Sequence, residues 1–120
     1  MANPWPCLGL LLTVLLVGCG AIDDRDAPKA TTLDSLVARH ASRADVGNAL
    51  RGAYTWYAPG TDAWAGLVDS LRRGGTDYMP PVRTAVQQKR KIMFHTTMWQ
   101  QTWIFLDDEE RIESYWITSQ

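Results

Sequence analysis

The pattern of apolar and polar positions divides the chain into three parts. An almost unbroken apolar run extends from Leu8 to Val17. Small and charged residues with one proline follow from Gly20 to Ala30, a composition that cannot bury enough apolar surface to fold. The remainder shows helical and then strand-like periodicity. We therefore expect a single folded domain over residues 31–120.

The first part of that domain predicts two short helices. Thr31–Asp34 has the pattern of a capping box and is followed by apolar Leu36. Ser42–Asp45 repeats this pattern, and Gly52 is a natural stop for the helix that it begins.

A third helix carries the strongest helical signal in the chain. Thr61 can cap its start, and Gly74 with Gly75 ends it. Its apolar residues recur at helical spacing: Trp64, Leu67, Val68 and Leu71.

Two segments remain open to either structure. The aromatic stretch Ala53–Gly60 fits a short strand or a loop that ends in a Pro-Gly turn. Val82–Gln88 fits a helical turn through Ala85 or a strand through Thr84.

The end of the chain predicts an antiparallel meander of three strands, at about Lys91–Thr96, Trp99–Leu106 and Arg111–Thr118. The acidic run Asp107–Glu110 supplies the second turn. If Asp107 pairs with Glu110, Phe105 lies opposite Ile112. One sheet face then carries Trp103, Phe105, Ile112 and Trp116, and the other carries Thr102, Ile104, Glu113, Tyr115 and Ile117. The fold class is therefore α+β, with short N-terminal helices packed on a C-terminal three-stranded antiparallel meander around one core.

Charge and cysteine content narrow the classes of function. The chain has 12 basic and 13 acidic residues, so no excess of positive charge points to nucleic acid. The two cysteines, Cys7 and Cys19, both precede the predicted domain. The domain itself therefore has no thiol for a disulfide or a thiolate metal site.

Leu16-Val17-Gly18-Cys19 resembles the lipobox of bacterial lipoprotein signal peptides. The resemblance implies cleavage after residue 18, lipidation of Cys19 with acyl chains such as palmitate, and a lipidated tether over residues 19–30. The apolar run has about the length of the hydrophobic region of a signal peptide. It is too short for a membrane-spanning helix, which needs roughly 20 apolar residues. The segment before it has no Lys or Arg, so an ordinary secretory signal and a buried N-terminal strand stay as alternatives.

For a Gram-negative source, Gly20 after the cysteine implies sorting to the periplasmic face of the outer membrane, since aspartate there marks inner-membrane retention. In other bacteria the location would be the cell membrane. A tether of this composition would hold the domain on the order of 20 Å from the bilayer.

Candidate chemistry is sparse. His40 and His95 stand in no metal-ligand spacing, and we assign both to structural roles. The run Asp107–Glu110 is too short to wrap a calcium ion. Motifs of phosphate loops, dinucleotide sites and serine hydrolases do not occur. We therefore expect a non-enzymatic protein without a cofactor or a metal, with a small hydrolase as the weakest alternative.

Tryptophan is the most informative residue type. Five of the six tryptophans lie beyond Cys19. Trp64 and Trp103 fit the helix stripe and a sheet face, so both are predicted in the core. Trp56, Tyr57 and Trp99 lie near predicted turns, where amphipathic rings often form interfaces, and these are the candidate partner-binding residues.

The chain also resembles the small outer-membrane lipoproteins of the SmpA/OmlA (BamE-like) type. The resemblance rests on the lipobox, the tether, the stretch Ser42–Gly52, and the hairpin from Trp103 through the acidic turn to Ile112. It implies helices packed on an antiparallel sheet and an accessory, protein-binding role in outer-membrane assembly. The alternative is a periplasmic inhibitor or a module that binds an envelope enzyme, a peptide or a glycan.

Overall fold

The computed structural model describes residues 27–119. The predicted signal peptide, Cys19 and most of the tether lie outside this range. The helices are α1 (Ala30–Ala38), α2 (Arg43–Ala49), α3 (Asp62–Gly74) and α4 (Pro80–Gln87). The strands are β1 (Thr55–Tyr57), β2 (Lys91–Thr96), β3 (Gln100–Leu106) and β4 (Ile112–Ser119).

The four strands form one antiparallel sheet in the order β1-β2-β3-β4. The predicted α+β class and the C-terminal meander are confirmed. The aromatic stretch after α2 takes the strand alternative, because Thr55, Trp56 and Tyr57 pair with Phe94, Met93 and Ile92 of β2. The sheet therefore has one strand more than the meander, and its two edges are β1 and β4.

Local capping signals account for two of the helix starts. The hydroxyl of Ser42 accepts a hydrogen bond from the backbone N–H of Asp45, and that of Thr61 accepts one from Trp64. The predicted capping box at Thr31 is wrong. Helix α1 already begins at Ala30 after Lys29, without a side-chain cap, so Thr31 lies inside its first turn.

The second open segment is helical. Pro80 and Pro81 begin α4, where proline is favoured because the first turn of a helix needs no N–H donors. Arg83 then fixes the preceding loop, since its guanidinium donates to the carbonyls of Leu71 and Gly75. The helix buries Val82 and Ala85, which are the positions of the helical alternative.

Both faces of the sheet are covered, so the domain has two cores instead of the predicted one. The first core lies under α1 and α2 and contains Leu33, Leu36, Ala41, Val46, Leu50, Met93, Ile104, Leu106 and Ile112. The second core lies under α3 and α4 and contains Leu67, Leu71, Val82, Ala85, Ile92, Trp103 and Phe105. Trp64 packs against this second core, so the prediction that it shares a core with Trp103 is confirmed.

The sheet is shared because neighbouring residues of a strand point to opposite faces. On β3, Trp103 and Phe105 enter the second core, while Ile104 and Leu106 enter the first. Together with Thr102 these residues form a stretch of five that are all buried.

The predicted register of the last hairpin is wrong by one residue at its start. Ile112 pairs with Leu106, Phe105 pairs with Ser114, and the ladder is irregular between Phe105 and Leu106. The turn is longer than expected because the N–H of Asp107 donates to the carbonyl of Arg111 at 2.9 Å. Ile112 consequently joins the first core and not the face of Trp103.

Candidate functional site

Trp56, the first candidate partner residue, is a packing residue of β1. It is half-buried against the first core. The guanidinium of Arg43 lies over its ring, 3.5 Å from the centroid, in a cation–π arrangement. Arg43 also forms an ion pair with Glu110, with 3.1 Å between Nη1 and Oε1. The expectation that Trp56 projects from a turn is therefore not met, because α2 covers the ring.

Tyr57, the second candidate, lies on the opposite face of the sheet. Its ring stacks on that of Trp103 with 6.2 Å between centroids, and burial raises the pKa of its phenol. Trp103 also packs against Phe94, with centroids 4.1 Å apart. These three rings form one wall of a pocket of about 450 Å³ between α3 and the sheet, and Tyr78 and Met79 of the α3–α4 loop line it as well.

Trp99, the third candidate, is open. It lies in the β2–β3 hairpin with 58 % of its surface exposed, next to Met98 at 50 %. The N–H of Thr97 donates to the carbonyl of Gln100 at 2.8 Å, which closes this hairpin. The structure thus separates the three predicted residues onto two faces and one end of the sheet. Their role in binding stays a prediction, and Trp99 alone among them has the exposure that it requires.

The edge strand β4 is a feature that the sequence reasoning missed. It runs for eight residues. At its start the N–H of Ile112 donates to the carbonyl of Ala41 at 3.0 Å, and beyond this contact its outer edge pairs with no strand of residues 27–119. It contains no proline and no lysine, and its one charged residue is Glu113. The carboxylate of Glu113 lies 3.3 Å from Nε of Arg90. Edge strands are ordinarily protected by lysine, proline or a covering element, so β4 is weakly protected beyond Ile112.

A groove runs beside β4 on the face of the second core. Helix α4 covers the middle of the sheet on this face and leaves Trp116 half-buried. The groove has a volume of about 320 Å³ and lies between α4 and β4, with Pro81, Ala85, Phe105 and Trp116 among its lining residues. An apolar floor beside free backbone groups is the arrangement that accepts an added extended strand. Unpaired backbone groups of an edge strand depend on how the strands are ordered in the sheet. The residue types of β4 alone therefore did not indicate this binding edge.

Both histidines of residues 27–119 take part in hydrogen bonds between separate segments of the chain. His95 is buried, and its Nε2 lies 2.6 Å from the carbonyl oxygen of Arg51, which fits the structural role assigned to it. His40 is exposed just after α1, and its carbonyl accepts a hydrogen bond from Arg111. Across residues 27–119, no three His, Cys, Asp or Glu side chains approach closely enough to hold a metal ion.

Glu110 is the charged centre of the acidic turn. One carboxylate oxygen lies 3.0 Å from Nζ of Lys91, and the other lies 3.1 Å from Nη1 of Arg43. Hydrogen bonds from Lys91 and from Arg43 hold the pKa of Glu110 below its ordinary value. The acidic run is therefore a turn that joins α2, β2 and the last hairpin, and Asp107 closes it by accepting from the N–H groups of Glu109 and Arg111.

This arrangement predicts a pH dependence. A lowered pKa in the folded state adds stability above the unfolded pKa, and this stability is lost as the pH falls through the folded pKa. Glu110→Gln should therefore lower the melting temperature at neutral pH. The difference from the wild type should shrink as the pH falls below the ordinary glutamate pKa of about 4.3, and it should disappear below the lowered pKa of folded Glu110. Glu109→Gln is the control, because its carboxylate lies 3.9 Å from Arg111 and is largely exposed. A difference that persists in acid would contradict the ion-pair origin.

Comparisons of the chain with protein families, with curated proteins and with solved structures give no match. Within residues 27–119, no helix has the length and hydropathy to cross a bilayer.

Proposed function

We propose that this protein is a non-enzymatic envelope lipoprotein that binds an extended segment of another envelope protein along β4. The lipobox resemblance at Leu16–Cys19 supports the anchor, and outer-membrane sorting follows from Gly20 if the source is Gram-negative. The single observation that carries the binding role is the outer edge of β4 beyond Ile112, which pairs with no strand of residues 27–119. An assembly or accessory role in the outer membrane is the finer form of the same proposal.

The chemistry of β4 determines what it would bind. Alternate backbone N–H and C=O groups of an edge strand point outward and pair with any extended chain, so they give affinity without sequence preference. The groove beside the edge would receive alternate side chains of the added strand, since successive side chains point to opposite faces. Phe105 and Trp116 line that groove, and so do Arg90 and Glu113, whose charges are paired with each other. The best fit is an uncharged strand with apolar residues at every second position.

The test uses a photo-crosslinking amino acid at Ser114, an exposed position of β4, in intact cells. We expect a crosslink to one extended segment of another envelope protein, identified by mass spectrometry. The same amino acid at Thr55, an exposed position on the opposite edge strand, is the matched control and should give no such product.

A second measurement tests whether the crosslinked segment pairs with the backbone of β4. A synthetic peptide of the crosslinked segment, at about ten times its dissociation constant, should slow hydrogen exchange of the outward β4 amides roughly tenfold. The amides of β1 should be unaffected. Equal crosslinking from Ser114 and Thr55, or a product formed only with a second copy of this chain, would contradict the proposal.

The pocket of Tyr57, Phe94 and Trp103 favours a second candidate function, the binding of an apolar or aromatic group from a peptide or a glycan. Its volume of about 450 Å³ and its aromatic wall are typical of small-ligand sites. The two candidates differ in one observable. A ligand in this pocket would change the emission of Trp103 and leave the exchange of the β4 edge unchanged.

A further inference from the structure

We infer that the Met98–Trp99 hairpin rests in the head-group region of the same bilayer that holds the lipid of Cys19. This inference rests on the lipid anchor of the proposed function and adds an orientation to it. The occupant of the exposed tip is a lipid surface and not a protein.

The first supporting observation is that two large exposed hydrophobic residues lie side by side at the tip of one hairpin. Among residues 27–119, the large hydrophobic residues classed as exposed are Tyr78, Met98 and Trp99. Met98 and Trp99 form the β2–β3 hairpin. Tyr78 lies in the loop between α3 and α4.

The second observation is where the chain enters the domain. The side-chain amide of Gln100 donates to the carbonyl of Pro28 at 3.0 Å. Gln100 directly follows Trp99, so the segment that leads to Cys19 meets the domain beside the hairpin. Eight residues separate Cys19 from Pro28. Even when fully extended, that distance spans only roughly 30 Å.

The third observation is the chemistry of the end surface. Tryptophan and tyrosine rings concentrate at membrane interfaces, where an apolar ring is buried and its N–H or O–H meets water. Methionine is flexible and adapts to an irregular apolar surface. Lys29 is exposed and directly follows Pro28, whose carbonyl accepts from Gln100. Arg51 is exposed, and its backbone carbonyl lies 2.6 Å from Nε2 of His95 on β2. Cations of this kind suit anionic head groups.

Because the tether is short, weak insertion of the hairpin is sufficient to orient the domain on the bilayer. The anchored lipid turns contact between hairpin and bilayer into an intramolecular event, with an effective concentration set by the tether length. The predicted orientation has the strands rising from the membrane, with the acidic turn of Glu110 at the far end of the sheet.

The experiment uses the mature lipidated protein in vesicles of phosphatidylethanolamine and phosphatidylglycerol. Part of the phosphatidylethanolamine carries bromine near the head-group end of its acyl chains, which quenches nearby tryptophan fluorescence. We expect quenching in the wild type and complete loss of this lipid-dependent part in Trp99→Phe. Trp116→Phe is the matched control and should keep the quenching, since Trp116 lies on β4 and packs against the second core.

The outcomes separate the orientation from the anchor. Incorporation of labelled palmitate into the protein reports the anchor independently of Trp99. Palmitate labelling without quenching of Trp99 overturns the orientation and leaves the lipid anchor intact. A hairpin that binds a protein partner would give this result in vesicles of pure lipid. Absence of label overturns both. Equal quenching in the wild type and in Trp99→Phe places another tryptophan at the membrane and also rejects the inference.

Discussion

Trp103→Ala should unfold the domain at a much lower temperature than the wild type. Trp103 is 4 % exposed and lies at the centre of the second core, between Tyr57 and Phe94. Truncating a buried tryptophan typically costs about 3–5 kcal/mol. In a domain of this size each kcal/mol lowers the melting temperature by about 4–8 °C, so a fall of about 12 °C or more is expected.

The measurement is a thermal melt followed by circular dichroism on the chain from Gly20 onward, which lacks the lipid site. Trp99→Ala is the matched control, because it removes the same side chain from an exposed position. It should leave the melting temperature almost unchanged. A single transition is expected for Trp103→Ala, since β3 serves both cores and neither can unfold alone. Similar melting temperatures for the two variants would contradict the placement of Trp103 in the core.

Cys19→Ser should abolish lipidation completely. The thiol is the group that accepts the diacylglycerol, and the resemblance to a lipobox places it at the cleavage site. We expect loss of palmitate label and accumulation of the uncut precursor on a gel. Stable membrane attachment needs two or more acyl chains, and this variant would carry none. Any variant protein from which the signal peptide is removed should therefore be absent from the membrane pellet.

Cys7→Ser is the control for this experiment. Cys7 lies before the apolar run, in the part that a signal peptidase would remove. Label should therefore remain at the wild-type level. Unchanged labelling of Cys19→Ser, or lost labelling of Cys7→Ser, would remove the basis for the anchor.

The elements that the sequence predicted correctly are those with strong local signals. Thr61 and Gly75 define α3 because a hydroxyl cap and a glycine of positive φ, here 83°, act within one turn of the chain. The apolar residues at helical spacing on the same helix include Leu67 and Leu71, and both are buried in the core. Such signals do not depend on distant residues, so they can be read without the fold.

The features that the sequence missed or left open depend on distant residues. Trp56 is covered by Arg43, which is held in turn by Glu110 far along the chain. Strand β1 has three residues, too few for a periodic signal, and is defined by its pairing with β2. The register of Ile112 depends on one extra residue in the acidic turn, and a slip of one residue moves a strand's side chains to the other face.

The strand that serves both cores makes the unfolded chain prone to aggregation. Gln100–Leu106 contains no charge, no proline and no glycine, because nearly every position on it must be buried. Segments of this length and composition stack readily into intermolecular β-sheets when they are exposed. A chain that crosses a membrane before it folds would expose this one. The acidic residues Asp107–Glu110 follow it directly, and their mutual repulsion hinders stacking of neighbouring copies. The turn that links α2, β2 and the last hairpin in the folded domain thus also acts as a gatekeeper against aggregation before folding.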